Sequence, residues 1–139
     1  MARQFSTAGE DVYSYRFATR PFDAQRPEDG VQHFVNVAYS FQNITGSLGP
    51  LPEFESHREL SRAIGQAYVN FVYWGDPNGH EDEGEKEKRD GLTLPHWPRW
   101  APQESVNMLL NATSPRIEKD DFRKEGMAYI ESIRHELLS

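Results

Sequence analysis

The stretch from residue 56 to residue 77, SHRELSRAIGQAYVNFVYWGDP, limits the possible folds more than any other part of the chain. Leu60, Ala63, Ile64, Ala67, Tyr68, Phe71 and Val72 recur at spacings of three and four, which draws one apolar stripe along a helix. Ser56 and Glu59 stand at the spacing of a capping box, which predicts a start at Ser56. Gly75, Asp76 and Pro77 predict the stop. Such a stripe needs a large apolar surface to lie on.

The rest of the chain offers little to cover it. VYSYRF, residues 12–17, alternates with Tyr13, Tyr15 and Phe17 on one face and predicts a strand. Residues 19–30 are rich in Pro, Asp and polar side chains and predict a loop. In GVQHFVNVAYSF, residues 30–41, Val35, Val37, Tyr39 and Phe41 alternate as in a strand, while Val37, Ala38 and Phe41 would also form one turn of helix. Residues 43–52 carry Gly46, Gly49, Pro50 and Pro52, a loop with several fixed turns. Residues 79–91, GHEDEGEKEKRDG, contain no apolar side chain and predict a charged, solvated loop. LTLPHWPRWAP should lie extended over something apolar, with His96 helping to fill it, and NMLL, residues 107–110, could be a short strand. A second amphipathic helix is expected from about Asp120, with Phe122, Gly126, Tyr129 or Ile130, Ile133 and Leu137 on one face. Asp120 and Asp121 would suit its positive N-terminal end.

Two long helices and one good strand do not make a sheet, because a lone strand leaves its backbone ladder unsatisfied. The expectation is therefore an α/β class in which residues 1–139 are one incomplete piece of a larger unit.

Composition narrows the function. The 15 basic against 22 acidic side chains give a net charge of −7 with no basic cluster, which disfavours nucleic acid and anionic membranes. With no cysteine, disulfides, thiolate nucleophiles and cysteine-ligated metals are excluded. No apolar run approaches a membrane span, and residues 1–17 do not resemble a signal peptide, so localisation stays open. Two glycosylation-type triplets, at Asn43 and Asn111, would matter only on a secretory route.

Five histidines are the chemistry-bearing residues: His33, His57, His80, His96 and His135. No pair has zinc-protease spacing. His33 follows a flexible glycine and precedes an apolar run. A lone histidine in such a loop is more often a packing or surface residue. A catalytic role needs a nucleophile within reach and an orienting acid.

Four features taken in order resemble the C-terminal part of the type-B carboxylesterase/lipase family, α/β-hydrolases that include the cholinesterases, and look closest to the fungal members. VYSYRF resembles the last central strand, and GVQHFVNVAYSFQN resembles the segment with the triad histidine. LSRAIGQAYVNFVYWGDPNG resembles the helix that ends in a Gly-Asp-Pro-Asn turn. LPHWPRWAP, NMLL and DDFRKEGMAYIESI resemble the tail, with its Trp-Pro motif, closing strand and final helix.

The resemblance implies that His33 is the triad base and that no cofactor is needed. It implies a small ester as substrate, once the remainder of the hydrolase body or a companion chain completes the site. Nearly all of this chain is covered, against about the last quarter of a full family member. Where the family often carries an acid three residues past the histidine, this chain has Asn36. No Gly-x-Ser-x-Gly occurs, and Ser14, Ser40 and Ser47 lack such surroundings. Asp11, Asp23 and Asp29 stand too near His33 in sequence to be the triad acid. The competing expectation is a catalytically inactive remnant or a binding module whose apolar helix faces meet a partner or a second copy.

Overall fold

The computed structural model describes residues 2–20, 30–43, 51–80 and 91–137. In chain order the elements are α1 (Ala2–Thr7), β1 (Tyr15–Phe17), α2 (Val35–Ser40) and α3 (Glu55–Trp74). They are followed by β2 (Val106–Leu110), β3 (Arg116–Lys119), α4 (Lys124–Ser132) and α5 (Arg134–Leu137). The loop predicted for residues 79–91 falls largely outside the described residues, as do most of those predicted for 19–30 and 43–52.

The strands form one sheet in the order β1-β2-β3. β1 runs parallel to β2, with Tyr15 opposite Met108 and Phe17 opposite Leu110. β2 and β3 are antiparallel, with Met108 opposite Ile117. The predicted strand over residues 12–17 shortens to three, yet its extended backbone begins earlier: the carbonyls of Val12 and Ser14 accept from the amides of Trp100 and Met108. β3 was not expected, because RIEK is short and mostly charged. The turn before it carries the signal. Asn111 Oδ1 accepts from the amides of Thr113 and Ser114, an Asx-type turn that folds β3 back on β2.

The period-two reading of β1 matches the packing. Tyr13, Tyr15 and Phe17 all face the helices, meeting Phe71, Tyr68 and Tyr39 respectively at ring distances of 4.9–6.5 Å. Met108 and Leu110 of β2 enter the same core with Leu51, Leu60, Ile64, Ala67 and Trp97. The opposite face is largely polar. There Ser14 Oγ donates to Asn107 Oδ1, and Arg16 makes a two-pronged ion pair with Glu118, at 2.6 and 2.9 Å.

α3 is the predicted amphipathic helix, with two differences. Its cap is Phe54 in an extended conformation, with no side-chain cap hydrogen bond. Ser56 lies within the first turn, Glu55 pairs with Arg62, and the Glu59 side chain lies beside Gly91 rather than folding back to a cap. The buried face is also rotated. Leu60, Ser61, Ile64 and Ala67 are buried, while Phe71 is exposed at the edge and Val72, at 80 % exposure, faces away. The rotation follows from Ser61, whose Oγ donates to the Tyr39 carbonyl at 2.7 Å and so turns a polar residue inward.

The helix stops as expected. Gly75 adopts φ 70° and its amide donates to the Phe71 carbonyl at 2.8 Å. Asp76 and Asn78 then form a clamp. Asn78 accepts from the Trp97 amide at 2.7 Å and donates to the Trp97 carbonyl at 2.9 Å. This holds residues 91–100 extended against the core, with Trp97 and Trp100 buried. His96, expected to help fill this segment, is exposed instead, because an extended backbone sends neighbouring side chains to opposite sides.

The C-terminal helix departs most from expectation. It begins at Lys124, breaks at Ile133 and resumes for four residues as α5. Asp120 is not in its first turn. Its carboxylate accepts from the Trp100 indole and the Asn107 amide, which ties the chain to the sheet before the helix starts. No residue of α4 is buried, and Met127, Tyr129 and Ile130 are exposed.

Candidate active site

At the C-terminal ends of β1 and β2 the two parallel strands are laced together. The Leu110 carbonyl accepts from the Ala18 amide at 2.9 Å and from Thr19 Oγ1 at 3.2 Å. Thr19 Oγ1 accepts from the Ala112 amide, and Asn111 Nδ2 donates to the Ala18 carbonyl. Both ends of the Asn111 side chain are thus committed to the backbone. Ile44 and Thr45 of the other triplet lie outside the described residues. The carboxyl ends of parallel strands are where open α/β sheets place their ligand-binding loops.

Gly30 adopts a left-handed conformation at φ 63°. His33 follows on a turn that leads directly into α2, and it is exposed. Among the described residues, no hydrogen bond to its imidazole is formed. Phe34, the residue between His33 and α2, has φ 78°. This left-handed conformation is costly for a side chain of that size, about 1–3 kcal/mol, and persists only where the surroundings impose it.

The region that the sequence left open between strand and helix is helical. Val35, Ala38 and Tyr39 turn toward the core and Phe41 faces out. Tyr39 fixes the helix. It is 1 % exposed, its ring meets Phe17 of β1, and its hydroxyl shares a 2.6 Å hydrogen bond with Nδ1 of His57. Burial drives the Tyr39 hydroxyl far above the ordinary tyrosine range, so it stays protonated. A donating phenol requires the His57 tautomer that carries its proton on Nε2.

Asn36, three residues past His33 and in the first turn of α2, interacts with the Tyr15 hydroxyl, which also accepts from the Tyr68 hydroxyl at 3.1 Å. Desolvation, then Tyr68, pushes the Tyr15 hydroxyl up to about 12, with Asn36 pulling the other way. A groove of about 1390 Å³ runs beside Asn36, between α2, α3 and residues 91–97. His33 does not line it, so the groove and the candidate base are separate features.

The remaining histidines are placed elsewhere. His57 is committed to Tyr39. His80 sits edge-on to Trp74 at 5.1 Å. His96 and His135 are exposed. The candidate nucleophiles and acids near His33 in sequence do not gather around it. Ser14 Oγ donates to Asn107 and Ser40 Oγ to the Asn36 carbonyl. Asp11 forms an ion pair with Arg99 at 2.9 Å, and Ser47, Asp23 and Asp29 lie outside the described residues. No group of three or more metal-capable side chains occurs among the described residues. No helix among them is long and apolar enough to cross a membrane.

The family model described as "Carboxylesterase family" matches residues 1–129. The chain belongs to the carboxylesterase family. Solved members share its fold. The Geobacillus stearothermophilus carboxylesterase at pH 6.2 is 22 % identical with a TM-score of 0.64, over 91 % of this chain and 23 % of its own. The same enzyme at pH 6.8 is 24 % identical with a TM-score of 0.63, over 91 % and 24 %. An esterase from the anaerobe Clostridium hathewayi, which can hydrolyze aliphatic aromatic polyesters, is 25 % identical with a TM-score of 0.63, over 89 % and 21 %. The chain therefore spans about a quarter or less of the length of the carboxylesterases it matches. An α/β arrangement that belongs to part of a hydrolase domain explains the lopsided inventory of elements.

Proposed function

We propose that these residues are the C-terminal portion of a serine carboxylic-ester hydrolase and that His33 is its general base. The observation that carries this reading is the location of His33. It stands exposed on a strained turn, after the carboxyl end of β1 and before a helix, and no described side chain claims its imidazole. The chain order of a Ser-acid-His hydrolase puts the histidine last, after a late strand. In this reading the resemblance extends to the cholinesterases and to the fungal members of the family.

The nucleophile belongs to a segment outside these 139 residues, since they contain no Gly-x-Ser-x-Gly. With that segment in place, His33 takes the serine proton as the oxygen attacks the ester carbonyl. It returns the proton to the leaving alkoxide, then takes one from the water that attacks the acyl-enzyme and hands it to the serine oxygen as the acid leaves. The oxyanion donors and the triad acid come from the same outside body. The substrate is a small carboxylic ester.

The test is the burst of acylation on a short activated ester, measured in the complete hydrolase. His33→Ala should lower the acylation rate by about 10³-fold or more while unfolding stays near that of the parent, and His80→Ala should change neither. Near-normal acylation in His33→Ala would return His33 to an ordinary loop residue. The exposed Val72, Tyr73 and Trp74 favour a second reading, a non-catalytic binding module. A completed protein that folds but forms no acyl-enzyme would select it.

A further inference from the structure

We infer that Tyr39 and His57 form a positioning pair that sets the angle of α2 and thereby aims His33. The inference rests on the assignment of His33 as the base. α2 has only six residues, too few to be held by intrinsic helix stability, so its placement comes from what it docks against. Tyr39 makes the docking. Its ring lies 4.9 Å from that of Phe17 on β1, its carbonyl accepts from Ser61 Oγ, and its hydroxyl reaches Nδ1 of His57 at 2.6 Å. One side chain thus joins the strand before the histidine, the helix after it and the long helix beneath.

The leverage is geometric. Tyr39 lies four positions past Val35, the first residue of α2, about 6 Å along a helix axis at 1.5 Å per residue, so a tilt of about 5° at the anchor moves the start of α2, and the turn that carries His33, by about 0.5 Å. A misplacement of about 1 Å between a base and its nucleophile is on the order of a hundredfold in rate, so half of that is about tenfold. The left-handed Phe34, between anchor and base, adds a reason for a firm anchor: it holds a conformation that relaxes if α2 is free to shift. The hydroxyl and the imidazole are the specific part of this device. The Tyr39 ring alone would satisfy the core.

The test uses the complete hydrolase, with turnover normalised to serine labelled by a fluorophosphonate. Tyr39→Phe keeps the ring and removes the hydroxyl. His57→Leu removes the polar partner, and His57→Asn returns a polar atom near the Nδ1 position. The expected result is a loss of about tenfold in kcat for Tyr39→Phe and for His57→Leu, with KM within about twofold. The double variant should lose no more than either single, because the two residues act as a unit. His57→Asn should recover most of the loss. Glu118→Gln, which loosens the opposite face of the sheet where Glu118 pairs with Arg16, should lower the unfolding temperature with kcat unchanged. The inference is overturned if Tyr39→Phe and His57→Leu keep kcat within twofold of the parent, if their losses multiply in the double variant, or if KM rises while kcat holds. His33→Ala separates the two claims. Abolished acylation there, beside intact kcat in Tyr39→Phe, defeats the positioning pair alone. Intact acylation in His33→Ala defeats both.

Discussion

Replacing Asn78 by Ala should unlatch residues 91–100 without dissolving the core beneath them. The Asn78 amide mimics a strand neighbour, taking the Trp97 amide proton at 2.7 Å and giving one to the Trp97 carbonyl at 2.9 Å. Its Nδ2 also donates to Asp76 Oδ1. Each hydrogen bond contributes about 1 kcal/mol net, so losing the two to Trp97 costs about 2 kcal/mol. Asn78 is itself exposed, so water replaces part of what is lost and the cost does not climb toward that of a dry buried amide. The Trp97 side chain stays in place: it is 5 % exposed and its indole donates to the Ser14 carbonyl at 3.0 Å. Hydrogen exchange reads the local opening directly. A cost of about 2 kcal/mol corresponds to roughly 30-fold faster exchange at the Trp97 amide, while amides of β2 change little. Asn78→Asp should be worse at neutral pH, since it sets a second carboxylate against Asp76 and faces the Trp97 carbonyl with no donor. Trp97 exchange within threefold of the parent in Asn78→Ala would refute the clamp.

Glu118→Gln should cost about 1–2 kcal/mol at neutral pH, because the paired carboxylate is half-buried against Arg16, which also lies over the Phe122 ring. The Arg16 hydrogen bond is the main reason that the Glu118 carboxyl is held below the usual range. A depressed carboxyl contributes its stability above the unfolded value, roughly pH 4.3, and loses it as pH falls through the folded one. Parent and variant should therefore differ in urea unfolding at pH 7 and converge in acid; a constant difference would contradict the ion pair. The 139-residue chain by itself should bind a hydrophobic dye or self-associate through the exposed end of α3, and Val72→Lys with Trp74→Lys should weaken this. Sedimentation as a compact monomer without dye binding would count against it. The same isolated chain should hydrolyse an activated ester no faster than free imidazole does, and turnover abolished by His33→Ala would show a complete site after all.

Some of this architecture could be read from the residues and some could not, for identifiable reasons. The alternating aromatics of β1, the Leu60–Ile64–Ala67 face and the Gly75 stop are local signals, and each governs a local outcome. The cap of α3 moved because backbone geometry at Phe54 set the first turn, leaving Ser56 inside it. Ser61 turned inward because of a carbonyl on another helix, which no periodicity encodes. β3 stayed hidden because its pairing comes from an Asx turn and a neighbour, not from its own composition. For the site, the sequence pointed to His33 only through its resemblance to a family. It gave no sign of the Tyr39–His57 bond, because two residues 18 positions apart meet there only after α2 docks.

The most direct measurement is a distance. In a crystal structure of the complete hydrolase with its reactive serine phosphonylated, His33 should stand with an imidazole nitrogen within hydrogen-bonding reach, about 2.6–3.2 Å, of the serine oxygen or the phosphonyl group. Another histidine in that place, with His33 remote and solvated, would contradict the account.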